Sequence, residues 1–290
     1  KGMSEHEEIR RIKGDKKLYA ALNIFFHQGD LDRLARELDS LGSYPFDAFI
    51  VSDIGTVPLL RKRFPDTPLH LSTQANCLNA SAARLYGELG FSRIILGREV
   101  SLEEIRRIRD ALPEMELESF VHGAMCIAYS GRCLLSSYMA GRSGNQGDCA
   151  HSCRWEYALV ERKRQEESFP VLAGEEFTTI LSSRDLKMID HLQELKEAGV
   201  DSIKIEGRMK SVYYTAVVTR AYRKRLDLLE GRIIDPELVR PYVEELDQVS
   251  HREYSTGFYF GSEGMEEHAD GVYRRPYLFL GTVGEKIAPG

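Results

Sequence analysis

Short apolar runs alternate with amphipathic stretches along most of this 290-residue chain. Seven runs have the length and the β-branched or aromatic content of buried strands. They are residues 17–26, 48–52, 69–73, 93–96, 117–121, 178–181 and 202–205. Several of the stretches between them carry leucines at helical spacing. A strand, a helix and a second strand at this pitch predict parallel pairing, because the crossover returns the chain in its original direction.

The strand count favours an α/β fold, a (β/α)8 TIM-like barrel that lacks its first unit or units. An open doubly wound sheet is the alternative. Residues 1–270 are interpreted as this incomplete barrel. The first residue is Lys1 rather than Met, which fits a start inside a larger protein. Residues 271–290 are interpreted as a linker and the first strand, 277–283, of a small C-terminal β domain.

Charge and hydropathy narrow the classes of function. The chain has 39 Lys and Arg against 45 Asp and Glu, a formal charge of −6. An acidic balance argues against indiscriminate coating of nucleic acid but leaves room for a local basic face. No window approaches the roughly 18 apolar residues of a membrane helix, and the start does not read as a signal segment. We therefore expect a cytoplasmic protein with no membrane partner.

Four of the five cysteines fall in one loop, residues 123–155, with the spacing Cys126-x6-Cys133-x15-Cys149-x3-Cys153. Thiolates are soft ligands that suit zinc or an iron–sulfur cluster. Zinc sites usually use two tight cysteine pairs, and only Cys149 and Cys153 form one here. The spacing favours a 4Fe-4S cluster, with zinc as the alternative. The alternative without a metal is four buried or incidental thiols.

Polar side chains recur where the predicted strands end. In β/α barrels the chemistry sits at the carboxyl ends of the strands. The candidates for a shared pocket are His70, Ser72, Gln74, Arg98, His122, Arg184, Asp185, Glu206 and Arg208. Each of them has a plainer interpretation as a helix cap, a turn residue or a structural ion pair. Their recurrence at successive strand ends favours the pocket.

Several segments resemble the signature of a known family. Residues 118–126 (ESFVHGAMC) and 129–136 (YSGRCLLS) closely resemble the collagenase-like peptidase family, numbered thirty-two among peptidases of unassigned mechanism. The further matching segments are 70–76 (HLSTQAN), 149–154 (CAHSCR), 183–186 (SRDL), 205–211 (IEGRMKS) and 256–258 (TGF). The resemblance runs from about Leu18 to the end of the chain. It implies a barrel whose opening strands precede Lys1, and a C-terminal β domain.

The resemblance also implies chemistry. The family is named for a collagen-degrading activity, yet several members resemble RNA or quinone hydroxylation factors that carry a 4Fe-4S cluster on four cysteines. Residues 250–261 look most like the tRNA branch. That branch hydroxylates the wobble uridine at carbon 5, with prephenate as the implied oxygen donor. Some relatives work in pairs, which implies a paralogous subunit as a possible partner.

The resemblance assigns Cys126, Cys133 and Cys149 as cluster ligands. Some relatives place a cysteine where this chain has Lys187, so the fourth ligand here would be Cys153. In the pocket, His122 or Glu206 would move a proton. Arg184 or Arg208 would clamp a carboxylate of the small donor. The catalytic set is His122, Glu206 and Arg208, and the substrate-binding set is His70, Ser72, Gln74, Arg98, Arg184 and Asp185.

Two basic clusters are candidate phosphate contacts for tRNA. One comprises Arg154 and residues 162–164, beside Trp155, and the other Arg220 and residues 223–225. A solvated face is the usual reading of such runs. A peptidase is the alternative function, although neither a His-Glu-x-x-His helix nor a Gly-x-Ser-x-Gly elbow occurs. A non-catalytic partner subunit of a hydroxylase is a further alternative.

Overall fold

The computed structural model describes residues 5–126, 128–155, 157–160, 168–171 and 184–261, together with Arg274 and Tyr277. The helices are α1 (Glu5–Lys13), α2 (Gln28–Leu41), α3 (Val57–Arg63), α4 (Ala80–Glu88), α5 (Leu102–Ala111), α6 (Leu135–Ala140), α7 (Leu192–Glu197), α8 (Val212–Leu229) and α9 (Arg240–Glu244). The strands are β1 (Tyr19–Leu22), β2 (Ala48–Val51), β3 (Leu69–Leu71), β4 (Phe91–Ile95), β5 (Glu116–Ala124), β6 (Tyr157–Val160), β7 (Ser168–Val171), β8 (Asp185–Lys187), β9 (Ser202–Ile205) and β10 (Tyr254–Ser255).

Eight of these strands form one mostly parallel sheet, which confirms the α/β class. Strands β1 to β5 pair in chain order, each parallel to the next, with Leu22 opposite Val51 and Val51 opposite Leu71. Each crossover contains a helix, as parallel pairing requires. Across the described ranges the edge strands β1 and β10 do not pair with each other, so the sheet is open there.

Strand β5 carries the one departure from parallel pairing among these eight strands. It pairs with β9 in parallel, and its last three residues also pair with β8 in the antiparallel direction, His122 opposite Lys187 and Ala124 opposite Asp185. The sequence predicted only a polar strand end near Asp185. Instead, Asp185 begins a short strand that runs antiparallel to β5.

The core lies between the sheet and its helices, where leucine, isoleucine and valine side chains from both layers form one buried cluster. Capping side chains fix where several helices begin. On α5, the backbone N–H of Ser101 donates to Glu104 Oε2 at 2.7 Å and that of Glu104 donates to Ser101 Oγ at 3.2 Å. On α2, Leu34 and Leu38 of the predicted stripe are buried. The amphipathic pattern therefore located the packing faces.

Some predicted elements cannot be compared. The expected strand at 178–181 and most of the expected C-terminal β segment, 271–290, lie outside the described residues, as does the basic run 162–164. No helix in the described ranges has both the length and the apolar content to cross a membrane. Within the cysteine connection the structure adds α6 and an antiparallel pair, β6 with β7, neither of which was predicted.

Candidate functional site

The cysteine segment, residues 126–155, lies across the ends of several strands. Its first anchor is Ser130, whose backbone N–H donates to Glu99 Oε1 at 2.6 Å. The Ser130 hydroxyl lies 2.8 Å from Glu99 Oε2 and 2.9 Å from Asn76 Oδ1. Glu99 follows β4 and Asn76 follows β3. One serine thus ties the cysteine segment to two neighbouring strand ends.

A second anchor is Arg132. Its Nε donates to the carbonyl oxygen of Gln74 at 2.9 Å, and its Nη2 donates to that of Ala75 at 3.2 Å. The predicted pocket residue Gln74 therefore lies beneath the cysteine segment. Ser72 is buried just before it and accepts a hydrogen bond from the Gln74 backbone N–H at 3.3 Å. Ser72 closes the local turn, which is its simpler interpretation.

The far part of the segment contacts the outermost strands. The backbone N–H of Phe25, after β1, donates to the carbonyl oxygen of Asn145 at 3.3 Å. Arg208, after β9, donates from Nη2 to the carbonyl oxygen of Gly147 at 2.9 Å. The cysteine segment therefore spans the carboxyl-terminal edge of the sheet from β1 to β9. This is the edge at which the sequence predicted a shared pocket.

The cysteines occupy different environments. Cys126, Cys133 and Cys153 are half-buried and Cys149 is exposed. Burial raises the pKa of the Cys126 thiol, and negative charge on Cys133 and Cys149 raises that pKa further, while Arg98 opposes the change. Cys133 and Cys149 therefore lie near enough to Cys126 for their charges to shift its pKa. The fifth cysteine, Cys77, is fully buried in the core, and burial raises its pKa to about 11.

The donor types of this segment fit a soft metal, since four thiols lie within 28 residues of one another. Their positions do not yet form a closed ligand set. Among the residues that the structure describes, no three His, Cys, Asp or Glu side chains converge closely enough to hold a metal ion.

Arg98 and Glu206 lie beside Cys126. Arg98 donates from Nη1 to the carbonyl oxygen of Ala124 at 2.8 Å, and its Nη2 lies 3.6 Å from Glu206 Oε2. Its guanidinium sits over the Phe120 ring, 4.0 Å from the centroid. Burial lowers the pKa of Arg98, whereas Glu206 and Cys126 oppose that shift. The buried Nε of Arg98 has no hydrogen-bond partner among the described residues, so it is an available donor.

The backbone brings β5 and β9 unusually close at this point. Gly123 has φ +106°, and a Cβ atom there would overlap the carbonyl oxygen of Glu206. Glycine is the residue that both the dihedral angle and the close approach permit. The Glu206 carboxylate then accepts a hydrogen bond from the Arg208 backbone N–H at 3.0 Å. Gly123 therefore sets the position of both Glu206 and Arg208.

His122 lies in an aromatic pocket. Its Nδ1 is 3.3 Å from the Tyr222 hydroxyl, and its ring also contacts Tyr214 and Tyr254. Burial lowers the pKa of His122 to about 3, and the positive charges of Lys187 and other neighbours add to this shift. His122 is thus neutral near pH 7. Its Nε2 is buried without a hydrogen-bond partner in the described structure.

Asp185 and Arg184 are engaged by other charged side chains. Asp185 forms a buried ion pair with Arg252, and Lys210 Nζ lies 3.9 Å from its carboxylate. Arg184 Nε lies 3.4 Å from Glu253 Oε2. For Asp185 this geometry favours the structural interpretation over substrate binding, because its side chain is 1% exposed.

His70 belongs to a separate cluster within the sheet. Burial and the positive charge of Arg93 lower its pKa to about 4. Nearby, Glu118 accepts hydrogen bonds from Arg93 Nη1 at 3.0 Å and from Lys204 Nζ at 3.1 Å. Lys204 Nζ lies 5.6 Å from the centroid of the Phe120 ring, and the Arg98 guanidinium contacts the same ring. His70 is therefore grouped with Arg93 and Glu118 and not with the cysteine segment.

Comparison with known proteins identifies the family. The model of peptidase family U32 matches residues 3–269. The chain belongs to peptidase family U32. It is 39% identical over 283 residues to tRNA hydroxylation protein P of Escherichia coli, covering 84% of this chain and 62% of that protein. It is 40% identical over 273 residues to tRNA hydroxylation protein P1 of Bacillus subtilis, covering 92% of this chain and 63% of that protein.

The name of a third relative specifies a different RNA: it is the 23S rRNA 5-hydroxycytidine C2501 synthase of Escherichia coli. The identity is 37% over 213 residues, 73% of this chain and 31% of that protein. The chain therefore spans less than two thirds of the length of these relatives.

Sequence reasoning assigned no role to several residues that organise this site. Ser130, Arg132 and Glu99 anchor the cysteine segment, and Arg252 neutralises Asp185. Ser130 and Arg132 lie inside the motif YSGRC, so the motif was a usable signal. Arg252 lies in the motif segment 250–261, but its pairing with Asp185 was not predictable, because the partner is 67 residues away in the chain.

Proposed function

We propose that this chain is the barrel part of an RNA hydroxylase that acts on tRNA and forms 5-hydroxyuridine at the wobble position. The names of its relatives support RNA hydroxylation, and two of them name tRNA. The observation that carries the proposal is the cysteine segment, which spans the carboxyl-terminal edge of the sheet with Cys126 beside Arg98.

The proposal includes a 4Fe-4S cluster held by Cys126, Cys133, Cys149 and Cys153, with zinc as the alternative. When bound, such a cluster supplies electron transfer or a rigid scaffold. The thiols would be held in place by the anchors Ser130 and Arg132 on one side and by the Arg208 contact with Gly147 on the other.

The remaining roles belong to charged side chains near Cys126. Arg98 has a buried donor that is not used, which suits a carboxylate of a small oxygen donor such as prephenate. Glu206 is about one-third exposed and would move the proton. Arg208 would orient Glu206 through its backbone N–H. His122 is neutral and enclosed by tyrosines, so it would act as a neutral positioning group.

Metal analysis of oxygen-free protein tests the cluster. We expect a brown protein with iron and sulfide, and single Cys126→Ser, Cys133→Ser, Cys149→Ser and Cys153→Ser variants that lose the visible absorption. Cys77→Ala is the matched control, because Cys77 is buried in the core and belongs to no site. A colourless protein, or loss of colour only in the control, would overturn the cluster.

Nucleoside analysis tests the reaction. Bulk tRNA from cells that lack the gene should gain 5-hydroxyuridine when the wild-type gene is restored, and should not when Glu206→Gln is supplied. Restoration by Glu206→Gln would remove Glu206 from the mechanism. Hydrolysis of gelatin by pure protein, blocked by Glu206→Gln, would favour the peptidase that the family is named for. Activity only in the presence of a second, paralogous chain would indicate a partner subunit.

A further inference from the structure

The cysteine segment exposes large apolar side chains. Five of them stand out among the described residues: Tyr138 at 87% exposed, Leu134 at 76%, Tyr129 at 62%, Trp155 at 43% and Met139 at 40%. Three of the five are aromatic. Large exposed apolar side chains grouped in one segment commonly mark an interaction site.

The fold gives α6 an inner and an outer face. On the inner face Ser136 is buried, and its hydroxyl accepts a hydrogen bond from the Ala150 backbone N–H at 2.8 Å. On the outer face Leu134 and Tyr138 lie one turn apart, since the Tyr138 N–H donates to the Leu134 carbonyl oxygen at 2.9 Å.

Trp155 extends this surface. It directly follows the short 3-10 helix Ser152–Arg154, and α6 packs on that helix. Its backbone N–H donates to the Ser152 carbonyl oxygen at 3.1 Å. Because Ser152 is buried while Trp155 is exposed, the chain turns outward between them. We call Leu134, Tyr138 and Trp155 the aromatic face.

The charge of the segment identifies the class of partner. Residues 126–155 contain three arginines, Arg132, Arg142 and Arg154, and one acidic residue, Asp148. The segment is therefore net positive in a chain whose formal charge is −6. Arg142 pairs with Asp148, so the excess positive charge is that of Arg132 and Arg154. A surface that carries excess positive charge attracts a polyanion. Aromatic rings in such a surface stack on unpaired bases, which duplexes do not offer.

We propose that the aromatic face binds unpaired nucleotides of an RNA loop by stacking and holds that loop over the strand ends beside Cys126. The inference rests on the proposed function and adds the surface that selects single-stranded over paired RNA. Tyr138 is the main stacking residue, because it is the most exposed aromatic side chain on this face.

Tryptophan fluorescence provides a direct test, because Trp155 is the only tryptophan in the chain. An anticodon stem-loop RNA should quench it saturably, and a blunt RNA duplex of equal length should not. Tyr138→Ala should weaken stem-loop binding by about tenfold. Ile234→Ala, at a 90% exposed position outside the segment, is the matched control and should bind as wild type does.

Three outcomes would overturn the inference. Equal quenching by the duplex would show that phosphate charge alone is bound, and wild-type affinity in Tyr138→Ala would show that this ring does not stack. A mass increase in solution that Tyr138→Ala abolishes would show that the face binds a second copy of the chain. If Tyr138→Ala binds normally while tRNA still gains 5-hydroxyuridine, this inference fails and the proposed function stands. If no tRNA is hydroxylated but the stem-loop still quenches the Trp155 fluorescence, the proposed function fails and this inference stands.

Discussion

Asp185 and Arg252 form an ion pair in the interior, with Arg252 Nη2 2.7 Å from Asp185 Oδ1 and both side chains 1% exposed. Arg252 also donates to the same carboxylate from Nε, to Asp185 Oδ1 at 2.9 Å, and from its backbone N–H, to Asp185 Oδ2 at 3.2 Å. The pair connects the start of β8 to the approach to β10. Such a pair stabilises the fold only while both charges are present, since either one alone is left desolvated.

Removing one charge should therefore be costly. We expect Asp185→Asn or Arg252→Met to lower the free energy of unfolding by about 3–5 kcal/mol. Urea denaturation followed by circular dichroism measures this. Asp247→Asn is the control: it breaks a pair with Lys187 in which the carboxylate is 60% exposed, and should cost less than about 1 kcal/mol. An equal loss of stability in Asp247→Asn and in the two variants of the buried pair would contradict the cost expected for breaking a buried ion pair.

The same pair marks the limit of what the sequence could predict. Helices α2 and α5 and strands β2 to β5 were predictable, because hydrophobic periodicity and capping residues act over a few neighbours. The antiparallel strand β8 was not, because three residues carry no periodicity and their pairing depends on β5, far away in the chain.

The candidate site divides in the same way. The motif residues Gln74, Glu206 and Arg208 were expected near the cysteine segment, and the structure brings them to it. His70 and Asp185 were expected there too, but His70 lies near Arg93 and Glu118, and Asp185 pairs with Arg252. Which side of the sheet a side chain faces depends on register, and the register of the β3–β4 pair shifts between Leu69 and His70.

His122 should make stability depend on pH. Its folded pKa is about 3, below the ordinary value of 6.5, so the unfolded chain binds a proton that the folded chain refuses. Stability is therefore complete above pH 6.5 and falls as the pH drops toward 3, by about 1.4 kcal/mol per pH unit. His70, with a pKa of about 4, acts in the same direction.

Urea denaturation between pH 7 and pH 4.5 measures this slope. His122→Gln should reduce the slope of the free energy of unfolding against pH by up to about 1.4 kcal/mol per pH unit, the contribution of one proton. His70→Gln should reduce the slope in the same way. The slope is the readout, so a constant loss of stability in either variant does not obscure it. Slopes identical to wild type in both variants would show that neither histidine is neutral in the fold.

Gly123 should tolerate no side chain. In Gly123→Ala the new Cβ meets the carbonyl oxygen of Glu206, and φ +106° is strained for alanine. We expect a loss of at least about 3 kcal/mol in the free energy of unfolding. Gly141→Ala is the matched control, because Gly141 also has a positive φ but nothing lies within 4 Å of its Cβ position. It should cost only about 1 kcal/mol.

Thermal unfolding of the two glycine variants gives the comparison. A Gly123→Ala protein as stable as Gly141→Ala would mean that β5 and β9 separate easily at Glu206.

Glu99 should control the order of the cysteine segment. Ser130 has φ +45°, which is unfavourable for serine, and Glu99 holds it there through the backbone N–H and the hydroxyl. Hydrogen bonds to a charged group contribute about 1.5–3 kcal/mol, so Glu99→Ala should release this turn without unfolding the sheet.

Amide hydrogen exchange of residues 129–134 should accelerate by about tenfold or more. Glu103→Ala is the control, because Glu103 is exposed on α5 and pairs with the exposed Arg107. Unchanged exchange in Glu99→Ala would show that Arg132 and the contacts of Asn145 hold the segment by themselves; acceleration across β5 as well would show that the segment and the sheet open together.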